Sequence, residues 1–244
     1  MMQHSRRAGI FALLLALALV AAACSSDKKS DSGGKTTTTS SAKAGGKLVG
    51  LFKITAAACT SGKPTGSYFR MVQSTGTLAA GPFITNADST CTDKTYSALV
   101  PGTDAGLTAG KYQPQPDPPF DAAKNGLANK ITEPTKFFAV GFAMSTNEKD
   151  PQTSADVPAP SITADASGVL TGDMSAVSVA WNGLQFNQGS PKPDGSHPGS
   201  TKDLSGTYDA TTGAFTMEWS SQIVGGAFDG FTGVWHLAGT FEKS

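Results

Sequence analysis

Few side chains beyond the first 23 residues have the type and spacing to do chemistry. His197 sits among Gly, Pro and Ser between Gln188 and Lys202, with Asp194 three residues before it. A metal site wants further ligands at defined spacing, so a solvated loop histidine is the plainer reading. His236 falls in an alternating stretch, on the face opposite Trp235 and Leu237. No G-x-S-x-G elbow and no H-E-x-x-H accompanies either histidine. Arg70 is the one arginine after Arg7; its guanidinium suits a carboxylate or phosphate, or pairs with a neighbouring acid on an outward strand face. Asn86, Asp88 and Asp93 could offer oxygens to calcium, but the glycine-centred loop of a calcium site is missing. They read as turn formers. Trp181, Trp219 and Trp235 could line an apolar ligand cavity or simply fill a core. No cofactor and no metal is expected from this set.

The elements that must position these residues are strands. Leu48 to Ile54 reads as a first strand leading to Cys59, and Tyr68 to Val72 as a second. Pro114, Pro116, Pro118 and Pro119 forbid a central strand, so Gly110 to Phe120 is expected to be an extended surface loop. Asp121 to Lys130 is the one short helix expected, with Asp121 as its N-cap and Gly126 weakening its middle. Phe138, Val140, Phe142 and Met144 alternate as in a half-buried strand, and Val177, Val179 and Trp181 repeat the pattern. Tyr208 to Phe215 predicts a hairpin with Gly213 at positive φ, after which Phe215, Met217 and Trp219 line one face. Trp235, Leu237 and Phe241 share a face of the last strand, and Gly225 to Gly230 reads as a turn or bulge.

One short pattern recurs: Leu170-Thr-Gly172, Leu204-Ser-Gly206 and Leu237-Ala-Gly239. In a strand each leucine and its glycine share a face, and the glycine permits close backbone approach, as in curved sheets and small barrels. The expected fold is mainly β: residues 48–244 as one antiparallel β-sandwich or barrel of roughly ten strands, interrupted by long loops.

Ahead of that domain, Ser5-Arg6-Arg7 supplies positive charge and Ala8 to Ala23 is an unbroken run of 16 apolar or small residues. The run is short for a spanning helix, which needs about 20 residues. A positive front, apolar middle and small-residue end are the parts of a signal peptide. Ala21-Ala22-Ala23-Cys24 resembles the lipobox of bacterial lipoproteins, with Ala21 where that motif usually carries a larger aliphatic residue. Cleavage near Ala23 without lipid, or an uncleaved anchor, are the alternatives. The two arginines resemble a twin-arginine signal only in part, because Gly9 stands where that motif wants an apolar residue. The resemblance implies residues 1–23 as signal peptide, a diacylglyceryl group on Cys24, and residues 24–47 as a low-complexity linker. Nothing larger than Ala among apolar side chains occurs in 25–47, so that stretch is expected to be disordered.

Loss of Arg6 and Arg7 with the signal leaves 17 Lys plus Arg against 19 Asp plus Glu, so no basic field favours nucleic acid. With Cys24 assigned to lipid, Cys59 and Cys91 remain, and an even pair in an oxidising compartment reads as a disulfide rather than two buried thiols. The expected product is an exported protein anchored to the cell membrane or outer membrane, facing periplasm or exterior. Its β domain is expected to be a non-enzymatic surface module for an unknown protein or glycan. Two further readings stand beside it: a carrier of an apolar ligand, and an envelope hydrolase of unrecognised type. Arg70, Trp181 and His236 are the candidate binding residues.

Overall fold

The structure is a computed structural model and describes residues 45–60 and 62–244. The expected signal peptide, Cys24 and the linker as far as residue 44 lie outside the described residues. The strands are β1 (Gly46–Leu48), β2 (Gly50–Ile54), β3 (Tyr68–Thr77), β4 (Gly81–Phe83), β5 (Ser97–Ala98), β6 (Gly106–Ala109), β7 (Thr135–Phe137) and β8 (Val140–Thr146). They continue with β9 (Ser161–Ala164), β10 (Val169–Asp173), β11 (Val177–Trp181), β12 (Leu184–Asn187), β13 (Lys202–Tyr208), β14 (Ala214–Gln222) and β15 (Thr232–Lys243). A single 3-10 turn, Gly226–Phe228, joins the last two. The domain is mainly β, as expected, and its first strand begins two residues inside the stretch assigned to the linker.

The larger sheet runs β1-β9-β10-β13-β14-β15-β2-β6, with β3 also on β15 and β4 and β5 on β3. Because β1 and β2 are consecutive, separated only by Val49, this sheet curls into a nearly closed ring. The expected single strand over 48–54 is therefore two strands meeting at a corner. Gly50 makes that corner possible: it sits at φ 149°, and a Cβ there would lie 2.3 Å from the Glu242 carbonyl. The recurring glycines serve the same curvature. A Cβ on Gly172, Gly206 or Gly239 would stand 2.3, 2.0 or 1.9 Å from a neighbouring strand's carbonyl oxygen. Their partner leucines point inward with Phe52, Phe215 and Met217, and Phe52 meets Phe215 edge-on at 5.0 Å.

The second sheet, β12-β11-β8-β7, is antiparallel throughout. It packs on the far ends of β14, β15 and β3, where Phe142 lies 5.3 Å from Phe69 and 6.0 Å from Trp235. The two long strands thus serve both regions. Phe215 and Met217 of β14 face the ring, whereas Trp219 stacks with Trp235 at 6.0 Å beneath the second sheet. The expected alternation of Phe215, Met217 and Trp219 holds as far as Trp219, beyond which Ser220 and Ser221 are both buried.

Two expectations are corrected. No helix forms over 121–130: Asp121 Oδ1 accepts from the Asn125 N–H at 2.9 Å, and its Oδ2 from the Asn125 amide at 2.8 Å. With Lys124 at φ 66° and Phe120 bridged to Gly126, the carboxylate closes a turn instead of capping a helix. Phe138 is not a strand residue either; it sits in the two-residue turn between β7 and β8. Cys59 and Cys91 are joined, as expected, and clamp Tyr68, Tyr96 and Ala98 onto the outer face of β3.

Candidate functional site

Three chain reversals meet at one end of the second sheet. A two-residue hairpin turn of the type that matches strand twist needs φ above zero at both positions, and Asn-Gly supplies this at little cost. The β11–β12 turn, Asn182–Gly183 (φ 51° and 74°), follows the rule. Beside it, the β7–β8 turn has the same geometry but is built from Phe138–Ala139 (φ 51° and 63°). A side chain with a Cβ in this region costs about 1–2 kcal/mol. Packing on Phe137 and Phe228 offsets only part of the cost, because Phe138 remains 51% exposed. The third reversal carries the 3-10 turn, between Gly225 (φ 80°), Gly226 (φ 69°) and Gly230 (φ 79°).

These reversals share an apolar surface. The Phe228 ring lies 5.7 Å from Phe138 and 5.5 Å from Trp181. Leu184, 47% exposed, borders Gly226, and Val224, 52% exposed, stands just ahead of Gly225. Three polar groups nearby help to hold the turns. Trp181 Nε1–H donates to the Phe137 carbonyl at 2.8 Å, Asp88 Oδ2 accepts from the Ala139 N–H at 2.6 Å, and Asp229 Oδ1 from the Gly225 N–H at 2.7 Å. The result is a tip of hydrocarbon and aromatic edges. Beneath it lies a cavity of about 40 Å³ walled by Phe69, Met71, Phe142, Val179, Trp235 and Gln188. Small-molecule sites run to about 300–1,000 Å³, so this interior is filled. Trp181 and Trp235 do border the cavity; Trp219 does not, and its indole N–H donates to the Gln188 carbonyl at 2.9 Å.

A more polar hollow of about 300 Å³ opens beside Val224, lined by Asp150, Gln152, Asn187, Lys192 and Asp194. Lys192 is buried, and its ammonium donates to the Asn187 carbonyl at 3.0 Å and to Ser221 Oγ at 2.7 Å. Burial pushes its pKa down to about 8. A lysine poised beside a serine is one way to activate a nucleophile. Here Ser221 has no exposed surface and does not line the hollow, so no substrate carbonyl can reach it. Asp150 is fully occupied, accepting from Thr153 N–H at 2.8 Å and from the Asn187 amide at 2.9 Å. A second partial constellation joins Ser190, Asp203 and His197. Ser190 Oγ donates to Asp203 Oδ1 at 2.9 Å, and His197 Nε2 lies 2.7 Å from the same oxygen. The carboxylate stands between the other two, an order in which the imidazole cannot take the serine proton.

Arg70 and His236 come together on the outer face of β3 and β15, away from Trp181. The Arg70 guanidinium lies 3.3 Å from the Phe83 ring centre and 4.2 Å from that of Tyr96, and donates to Thr95 Oγ1 at 3.3 Å. It is held by aromatic faces rather than by an acid. His236 stacks on Tyr68 at 4.5 Å, with its Nδ1 3.6 Å from Glu218 Oε2. The imidazole beside Glu218 holds that carboxyl below its ordinary range, while burial raises the Tyr68 phenol against the lowering effect of Lys63. This row is structural support for the disulfide-clamped patch. Asn86 and Asp93 form turns, as expected, accepting from the Asp88 and Thr95 N–H groups at 3.1 and 2.9 Å. Leu184, Val224 and Phe228 were not singled out in the sequence, and Phe138 was read as a strand residue rather than a site residue; the glycines around Phe228 were the available signal. No protein-family model, curated protein or solved structure matches the chain.

Proposed function

We propose that this chain is a bacterial envelope lipoprotein, held by lipid on Cys24, whose β domain is a non-enzymatic binding module that works through its apolar tip. The strained, exposed Phe138 carries the reading. A fold that builds one hairpin turn with Asn182–Gly183 has no stability reason to build its neighbour with Phe138–Ala139. Two further observations support it: the filled interior leaves no room for a carried ligand, and the serine nearest a lysine is sealed. The domain also has two ends. Gly45, Gly46 and Leu48 share a surface hollow with the Tyr208–Gly213 turn, Phe241 and Lys243, at the opposite end of β14 and β15 from the tip. Nine residues of β14 at about 3.3 Å each place the ends about 30 Å apart.

The test separates stability from binding. Phe138→Asn with Ala139→Gly installs the low-strain turn, so the variant should fold at least as well as the wild type. With the anchor removed by Cys24→Ser in both chains, it should lose most of the weak cosedimentation seen with a large excess of envelopes isolated from the producing cells. Equal sedimentation of variant and wild type would sink the reading. The anchor is checked by fatty-acid labelling, which Cys24→Ser should abolish.

A further inference from the structure

We infer that the tip makes a second, reversible attachment to the phospholipid bilayer that holds the anchor, so that the domain lies along the membrane surface. This rests on the anchored-module reading above. The tip has the form for it. Phe138, Leu184 and Val224 are 51%, 47% and 52% exposed in or next to the three reversals, and Phe228 lines the small cavity below. A glycan or an extended peptide would look for free donors and acceptors. The Trp181 indole N–H is taken by the Phe137 carbonyl, and Asp88 and Asp229 each use one oxygen on a turn, which leaves few donors for such a ligand. Separate apolar points suit a deformable medium better than a rigid partner, and the headgroup–acyl boundary is such a medium. Asp88 and Asp229 at the base of the turns limit the insertion to the outermost side chains.

The chain ahead of the domain has the length this needs. Residues 25–44 join Gly45, at the end of the domain opposite the tip. Twenty residues reach at most about 70 Å when fully extended. The tip lies about 30 Å from Gly45 along β14. That reach exceeds the separation of the two ends, so anchor and tip can engage one bilayer together, the condition for a second attachment to add avidity. Three half-exposed apolar side chains give a partition gain on the order of a hundredfold, too weak for a free protein but sufficient for a tethered one.

The experiment uses the lipidated full chain in vesicles of phosphatidylethanolamine and phosphatidylglycerol, with or without phospholipid brominated on its acyl chains. Bromine quenches only tryptophans at the bilayer. The expected result is loss of Trp181 emission, absent from a Trp181→Phe control and restored by Phe138→Asn with Ala139→Gly, or by Val224→Ser if the double variant misfolds. Chain that stays on the vesicles without quenching overturns the tip attachment and leaves the anchor standing. Chain that leaves the vesicles overturns both. Quenching that persists in both tip variants, or that is displaced by soluble envelope glycan or protein, assigns the tip to another occupant and overturns the inference.

Discussion

The two regions that share β14 and β15 use the same strands to opposite ends. In the ring, Phe52, Phe215, Leu204 and Leu237 share the interior, and all four are buried. Under the second sheet the aromatic packing continues outward past Trp219, Trp235 and Phe142 until it ends in solvent at Phe138 and Phe228. One region spends its hydrophobic surface on stability. The other leaves part of it unspent, where a partner can reach it.

Substitutions can break that contrast. The largest effect should come from Phe52→Ala, which empties a fully buried position in the ring and should cost about 3–5 kcal/mol in denaturant unfolding. Phe228→Ala at the tip should cost less, about 2 kcal/mol, because its ring is partly exposed although it packs on Phe137 and Trp181. Equal losses from the two would erase the distinction between the regions. Joint replacement of Cys59 and Cys91 by Ala opens a loop of 32 residues and should lower stability by about 3–4 kcal/mol, read in the same assay. Tip binding should survive, since the clamp lies on the outer face of β3.

Lys192 sharpens the comparison by pH. Its folded pKa of about 8 lies below the ordinary lysine value of 10.5, so above pH 8 the unfolded chain binds more protons than the folded one. Stability should therefore rise between pH 8 and 10, by on the order of 2 kcal/mol, before Tyr68 titrates and opposes it. Lys192→Met should flatten this rise; the Asn187 carbonyl would keep the Gln188 amide as donor at 3.0 Å. A profile unchanged by the substitution would show that the ammonium is not desolvated. The smallest effect is a gain: Phe138→Asn should raise stability by about 1 kcal/mol through relief of left-handed strain. A loss of stability there would mean that Phe138 is part of the core after all.

Much of the fold was legible because it is written in local alternation. Phe215, Met217 and Trp219 announce both the strand and its inner face, and Asp209 with Gly213 announces the hairpin that starts it. Closure was not legible. Pairing Gly46 with Ala164 and Gly239 with Ile54 joins residues far apart in the chain, and no window of sequence contains both partners. The false helix has a different cause: an aspartate that caps a helix and one that closes a turn look alike until the next residues choose their φ. Phe138 misled because Phe138, Val140, Phe142 and Met144 keep a spacing of two straight through a two-residue turn. Of the candidate binding residues, Trp181 does reach the tip, whereas Arg70 and His236 lie with the clamp on the other face. A strained turn residue leaves no mark in composition or periodicity, so the centre of the site emerged only from backbone geometry.

The Asn182–Gly183 turn has a chemical consequence of its own. With no side chain on the following residue to block attack, the glycine amide nitrogen can close on the asparagine carboxamide, expel ammonia and open to aspartate or isoaspartate. Asparagine is among the thermolabile residues for this reason. Asn182 is exposed, so water and base have free access to it. Each molecule therefore carries a slow clock beside Leu184, and when it runs down a new negative charge stands among the apolar points of the tip. The neighbouring Phe138–Ala139 turn contains no carboxamide and cannot age in this way.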